Sequence, residues 1–170
     1  MSNRAYGDEL VERVVLDLQF AGVKIKTTVS SGSKFGDCDA LTPPGGIALE
    51  GKATSTSTSL VCKRTDYLKA YDQAITHGRY PVMVVENSTR DIVIFMPEST
   101  IKSLGMADSI KEVEKQFSLI SANTTNWSFP KGKQCVVIEN KLGEKLVAMD
   151  WYSVGLPSLS NCLIELFGEE

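Results

Sequence analysis

The sequence predicts an α/β domain in which a mixed central β-sheet is flanked by helices, and three observations predict it. A helical apolar stripe runs through residues 8–20, where Val11, Val14, Val15 and Leu18 fall three or four apart. Short apolar runs at 47–53, 81–86 and 91–96 have the length and composition of strands. A second helical pattern, 64–76, stands between the first of these runs and the other two.

The first helix is expected from Asp8 to Phe20, with Gly22 as its stop. Val23-Lys24-Ile25-Lys26-Thr27 then alternates like a half-exposed strand, and Ser30-Ser31-Gly32-Ser33-Lys34 reads as a turn or loop. Asp37 to Leu41 reads as a short strand, Thr42-Pro43-Pro44-Gly45-Gly46 as a tight turn, and Ile47 to Ala53 as the returning strand of a hairpin. The run Thr54-Ser55-Thr56-Ser57-Thr58-Ser59 is low in complexity and reads as a mobile loop. A helix from Arg64 to Thr76 is expected to bury Tyr67, Leu68, Tyr71 and Ile75 and to end at Gly78. His77 suits that helix end, where an imidazole meets the carbonyl dipoles. Pro81 to Glu86 and Asp91 to Met96 follow as strands.

Further on, Ser109 and Glu112 form a capping box before a helix carrying Val113, Phe117 and Ile120. Cys135 to Glu139 and Lys145 to Tyr152 read as two strands, and Pro157 to Phe167 as a closing helix with Leu159, Leu163, Ile164 and Phe167 on its apolar side. Residues 98–170 therefore read as an α+β extension packed on a core of residues 1–97, and as a candidate dimerisation surface. Trp127, Phe129, Trp151 and Tyr152 are expected as core or interface residues rather than as base-stacking platforms.

A chain of 170 residues, 42% hydrophobic and 23% charged, suits one globular domain. No stretch approaches the ~20 apolar residues that span a bilayer. The opening MSNRAYGDEL is polar, unlike a signal peptide, so a cytoplasmic location is expected. Cys38, Cys62, Cys135 and Cys162 show no C-x-x-C spacing and the chain has a single histidine, so free thiols are expected rather than a zinc site. The net charge of -3 on its face argues against a nucleic-acid binder. Yet residues 1–80 hold ten Lys/Arg against nine Asp/Glu, and 81–170 hold eight against twelve, so the acidity sits in the second half.

The stretch Gly36 to Lys52, GDCDALTPPGGIALEGK, carries the chemistry. Side chains alternate along a strand, so Glu50 and Lys52 share one face, roughly 7 Å apart. Asp37 begins one strand and Glu50 and Lys52 end the next, so a hairpin brings all three to one edge of the sheet. A hard divalent cation such as Mg²⁺ prefers carboxylate oxygen and leaves sites for water and phosphate. Held by Asp37 and Glu50, it would suit phosphodiester hydrolysis, with Lys52 orienting or deprotonating the attacking water or stabilising the phosphorus centre. Asp39 shares a face with Asp37 and is either a further ligand or, as the preferred reading, a solvated strand residue; Asp66 could touch metal-bound water or DNA but reads first as a first-turn acid favoured by the helix dipole. Glu-x-Lys alone says little, because Glu139-Asn140-Lys141 also follows an apolar strand yet has no aspartate within thirty residues upstream and reads as an ordinary strand end.

Asp37, its spacer and Glu50-Gly51-Lys52 resemble the signature of the PD-(D/E)XK nuclease superfamily. Residues 4–97 look most like archaeal-type Holliday-junction resolvases and their phage relatives. The likeness includes an acidic first helix, Ser31-Gly32-Ser33-Lys34, Asp37 followed by Ala40, and Pro81-Val82-Met83-Val84-Val85. Gly36 stands where a proline commonly precedes the aspartate, and the second half has no placed counterpart. The resemblance implies a restriction-endonuclease-like core and a homodimeric endonuclease dependent on Mg²⁺ or Mn²⁺ that cuts branched double-stranded DNA. It implies a helix acid beside the metal, Glu9 by the spacing from Gly7 with Glu12 as the alternative, and a loop serine, Ser31, near the site. Ser33, Lys34, Lys63, Arg64 and Lys69 are the expected DNA contacts. The alternatives are a nuclease of the same superfamily acting in repair, restriction or end-processing, and a non-catalytic DNA-binding module that keeps the fold.

Overall fold

The computed structural model of the chain describes residues 3–28, 38–106 and 119–168. Helix α1 (Asn3–Phe20) leads into β1 (Lys26–Thr27), β2 (Ala40–Leu41), β3 (Ile47–Ala53) and β4 (Leu60–Lys63). Helix α2 (Arg64–Thr76), β5 (Tyr80–Glu86), β6 (Ile92–Pro97) and the short α3 (Glu98–Ser103) come next. The second half supplies β7 (Leu119–Ala122), β8 (Asn126–Phe129), β9 (Cys135–Asn140), β10 (Lys145–Asp150), a π-helical turn at Trp151–Gly155 and α4 (Leu156–Phe167). Among the described residues, eight strands form one sheet in the order β1-β2-β3-β5-β6-β10-β9-β7, and β4 pairs with β8 in a separate ribbon. The sheet is mixed: β3 runs parallel to β5 and β7 parallel to β9, while the other pairs are antiparallel. The α/β class with a mixed, helix-flanked sheet is thus what the chain adopts.

Strands in the middle of the sheet are apolar throughout because both of their faces are covered. Along β5, Val82 and Val84 join the core that includes α1 and α4, whereas Met83 and Val85 join the opposite core with α2, β4 and β8. The stripe Val11, Val14, Val15 and Leu18 is buried as its spacing requires. Helix α1 lies close on β3 because two glycines meet there. A methyl group on Gly51 would stand 2.6 Å from Val11 Cγ2 and 3.4 Å from the Gly7 carbonyl oxygen.

Helix α2 has the expected bounds but turns a different side inward. Tyr67, Ala70 and Ala74 are buried, while Leu68, Tyr71 and Ile75 are exposed. The reason is close packing, since Ala74 sits against Cys38 and Ala48, where larger side chains would hold the helix off the sheet. His77 is the helix C-cap. Ile120 stands in β7 rather than in a helix, and the expected Ser109–Glu112 capping box, Val113 and Phe117 lie outside the described residues. The ribbon of β4 and β8 was not legible from the pattern. It buries Trp127 completely, edge-on against Tyr67 at a centroid distance of 5.3 Å. The strand expected to reach Tyr152 stops at Asp150, whose carboxylate accepts hydrogen bonds from Ser153 N (3.1 Å) and Ser153 Oγ (2.8 Å) and turns the chain. Trp151 is buried and donates to Asp17 Oδ2 at 2.9 Å, whereas Tyr152 is exposed. All four cysteines are buried and none is in a disulfide. Among the described residues no helix is long and apolar enough to cross a membrane.

Candidate functional site

Strand β3 is apolar and buried from Ile47 to Leu49 and then becomes Glu50-Gly51-Lys52 as it emerges from beneath the helices. Its neighbour β2 pairs Ala40 with Leu49 and Leu41 with Ala48. The backbone pairing continues one residue further, where Asp39 N donates to Leu49 O at 3.0 Å. Asp39 is thereby placed beside Glu50. Its Oδ2 accepts from Gly51 N at 2.9 Å, and the residue is 9% exposed. The expectation of a solvated Asp39 is therefore overturned: the strand pairing draws it inward, and a backbone N–H offsets part of the cost of burying its carboxylate.

Glu50 faces the α2 side of the sheet, where it feels Lys69 and Asp66 of that helix. Its Oε1 is buried and has no hydrogen-bond partner among the described residues. Burial, reinforced by the charge of Asp39, pushes the Glu50 carboxyl up to about 7, against the opposing pull of Lys52 and Lys69. Two adjoining carboxylates, one with an orphaned oxygen, make a site that a proton or a hard cation stabilises. They open into a cleft of about 930 Å³, also lined by Asp8, Lys52, Asp66 and Lys69. Carboxylate oxygens are the donors a hard divalent cation such as Mg²⁺ or Mn²⁺ prefers, and Glu50 and Asp39 are the residues here that could hold one. Among the described residues, no group of three or more His, Cys, Asp or Glu side chains gathers in a way that could hold a metal by itself.

The other expected site residues divide into three sets. Lys63 and Lys69 line the cleft with Glu50 and Lys52. Arg64 turns away and forks onto Glu144, with Nε to Oε1 at 2.7 Å and Nη2 to Oε2 at 3.1 Å. Asp37, Ser31, Ser33 and Lys34 lie outside the described residues. On α1 the cleft is lined by Gly7 and Asp8, while Glu9 and Glu12 are exposed and are not among its lining residues. Helix geometry accounts for this. With Gly7 and Val11 against β3, the ~100° step per residue leaves Asp8 on the flank of the buried stripe and sends Glu9 to the far side.

Sequence reasoning ranked Asp39 as a ligand only second to a solvated residue and missed Asp8 and Asn126; all three line the cleft. The closely spaced acids of Asp37-Cys38-Asp39 were a usable signal for the first. Asn126 comes from β8, and nothing in the pattern ties that strand to β4. No family model, curated protein or solved structure matches the chain.

Proposed function

We propose that the chain is a metal-dependent endodeoxyribonuclease with a restriction-endonuclease-like core, acting on branched DNA and on four-way junctions in particular. The observation that carries this reading is the orphaned Glu50 Oε1 beside Asp39, with the Lys52 ammonium two residues on in the same cleft. The element order supports it too: a helix, three strands in an antiparallel meander, the ribbon strand β4, a helix, and a strand returning parallel to β3.

Mg²⁺ or Mn²⁺, when bound, supplies charge neutralisation at the phosphate and a lowered pKa for water. Glu50 and Asp39 would hold it, with Asp37, which lies outside the described residues, as the further ligand that the sequence resemblance implies. Gly51 N–H fixes the Asp39 carboxylate so that it does not have to reorganise when substrate arrives. Lys52 orients the attacking water or a phosphate oxygen, and Lys63 and Lys69 take flanking phosphates. The functional unit in this reading is a homodimer, with one site per arm of the junction.

A labelled four-way junction and a matched linear duplex, incubated with Mg²⁺, test it. The junction should be cut faster, and EDTA should stop the reaction. Equal rates on both substrates end the junction assignment but leave a nuclease. Binding without cleavage in either Mg²⁺ or Mn²⁺ ends the nuclease reading and favours a DNA-binding module.

A further inference from the structure

The run Thr54 to Ser59 has the composition of an unconstrained loop, yet it is tied to the rest of the molecule at three points. Thr54 N donates to Glu86 O at 3.1 Å, Ser88 N donates to Ser57 O at 2.8 Å, and Asn87 Nδ2 donates to Thr58 O at 2.9 Å. Asn87 is 3% exposed and sits in the turn between β5 and β6. Its Oδ1 accepts from Thr89 N at 3.2 Å and Asp91 N at 2.9 Å, and its amide also donates to Asp91 Oδ2 at 3.1 Å. A buried amide with both its donor and acceptor sides engaged is a rigid strut.

What the strut holds is one wall of the cleft. Ser57 and Ser59 line it, followed by Lys63 on β4 and Asn126 on the paired strand β8, where Lys63 and Asn126 stand opposite in register. Two hydroxyls, an ammonium and an amide, with no carboxylate among them, share a cleft with Asp39 and Glu50. Groups of this kind contact the sugar-phosphate backbone of nucleic acids.

We infer that residues 57–63 with Asn126 form a strand-gripping wall for the nucleic-acid backbone, and that Asn87 is the positioning residue that keeps the wall in place. The inference rests on the nucleic-acid reading of the cleft. It makes the serine and threonine run a built part of the site, and it gives the second half of the chain a direct share in substrate binding through Asn126.

The test uses the full chain and a fluorescently labelled four-way junction, in two measurements. Binding is followed by anisotropy in EDTA, and cleavage by steady-state kinetics in Mg²⁺. The triple variant Ser57→Ala, Ser59→Ala, Lys63→Ala should weaken binding by about tenfold or more and raise KM correspondingly, with kcat within about twofold. Asn87→Ala should move KM in the same direction. Asn126→Ala should do so more weakly, and Lys63→Arg should restore binding. The control Lys145→Ala, a charge change on β10 away from the cleft, should leave both measurements near wild type. Unchanged binding in the triple variant, or a loss confined to kcat, overturns the wall. A wild-type protein that binds but does not cut, together with a triple variant that binds weakly, retires the nuclease reading and leaves the wall standing.

Discussion

Two Glu-x-Lys triplets occur in this chain, each at the end of an apolar strand, and the molecule treats them in opposite ways. Glu50-Gly51-Lys52 ends β3, a central strand between β2 and β5. There Glu50 meets Asp39 and the charged face of α2 that carries Asp66 and Lys69, and among the described residues one of its oxygens has no partner. Glu139-Asn140-Lys141 ends β9, where Glu139 stands opposite Lys145 in the ladder. Asn140 is spent on the following turn. Its Oδ1 accepts from Leu142 N at 3.0 Å and Glu144 N at 3.1 Å, and its Nδ2 donates to Glu144 Oε1 at 2.7 Å. The second triplet closes a hairpin. The first leaves one carboxylate oxygen unsatisfied in a cleft, and an unsatisfied buried oxygen is what a ligand can use. A short motif acquires chemistry only from the strands beside it.

Removing the two glutamates separately puts the contrast under the greatest strain. Glu50→Gln should lower cleavage of the junction by about a thousandfold, while Glu139→Gln should leave the rate unchanged. Equal losses would show that the triplets are not functionally distinct.

Stability against pH gives a smaller effect with a definite sign. The Glu50 carboxyl is raised from 4.5 to about 7 in the folded chain. Folding therefore favours its protonated form. Its contribution to stability is full below about 4.5 and is lost as pH rises through 7. Glu50→Gln, which keeps the shape without the charge, should be more stable than wild type at pH 8 by up to about 3 kcal/mol, with little difference at pH 4. Thermal melts at the two pH values measure this, and saturating Mg²⁺ should raise the wild-type Tm at pH 8 but not that of the variant. A Tm gap that does not change with pH would mean that Glu50 is not held in a desolvated site.

The middle residues of the triplets give the smallest effect. Gly51→Ala forces a methyl group to within 2.6 Å of Val11 Cγ2 and should cost about 2 kcal/mol. Asn140→Ala should cost a comparable 1–2 kcal/mol or so, because the turn N–H groups lose their acceptor. Only the first displaces α1 and Asp8 relative to β3, so only Gly51→Ala should lower cleavage below what its lost stability explains. Denaturant melts paired with rates at a temperature where both variants are folded will separate the two effects.

Much of the fold was legible because it follows local rules. The stripe on α1, the bounds of α2 and the extent of β3 come from side-chain spacing, propensity and the Pro-Gly turn before Ile47, all short-range. The inward face of α2 was not legible, because large apolar residues attract attention and the structure instead chose alanines to bring the helix close. The ribbon of β4 and β8 joins segments more than sixty residues apart, and no local pattern announces such a pairing. The same division runs through the site. Glu50 and Lys52 could be named from alternation in a single strand, whereas Asp39 looked like a surface acid until its strand pairing was known.

By itself the sequence determined the helices and central strands of an α/β chain and a carboxylate and an ammonium on one face of one strand, because these depend on residues within a few positions of each other. Tertiary structure alone decided that Glu50 is half-buried beside Asp39 with its Oε1 enclosed, that Asp8 and Asn126 reach the same cleft, and that a serine and threonine run lines its wall. Burial and charge proximity are properties of neighbours in space, and those neighbours come from segments that the linear order keeps apart.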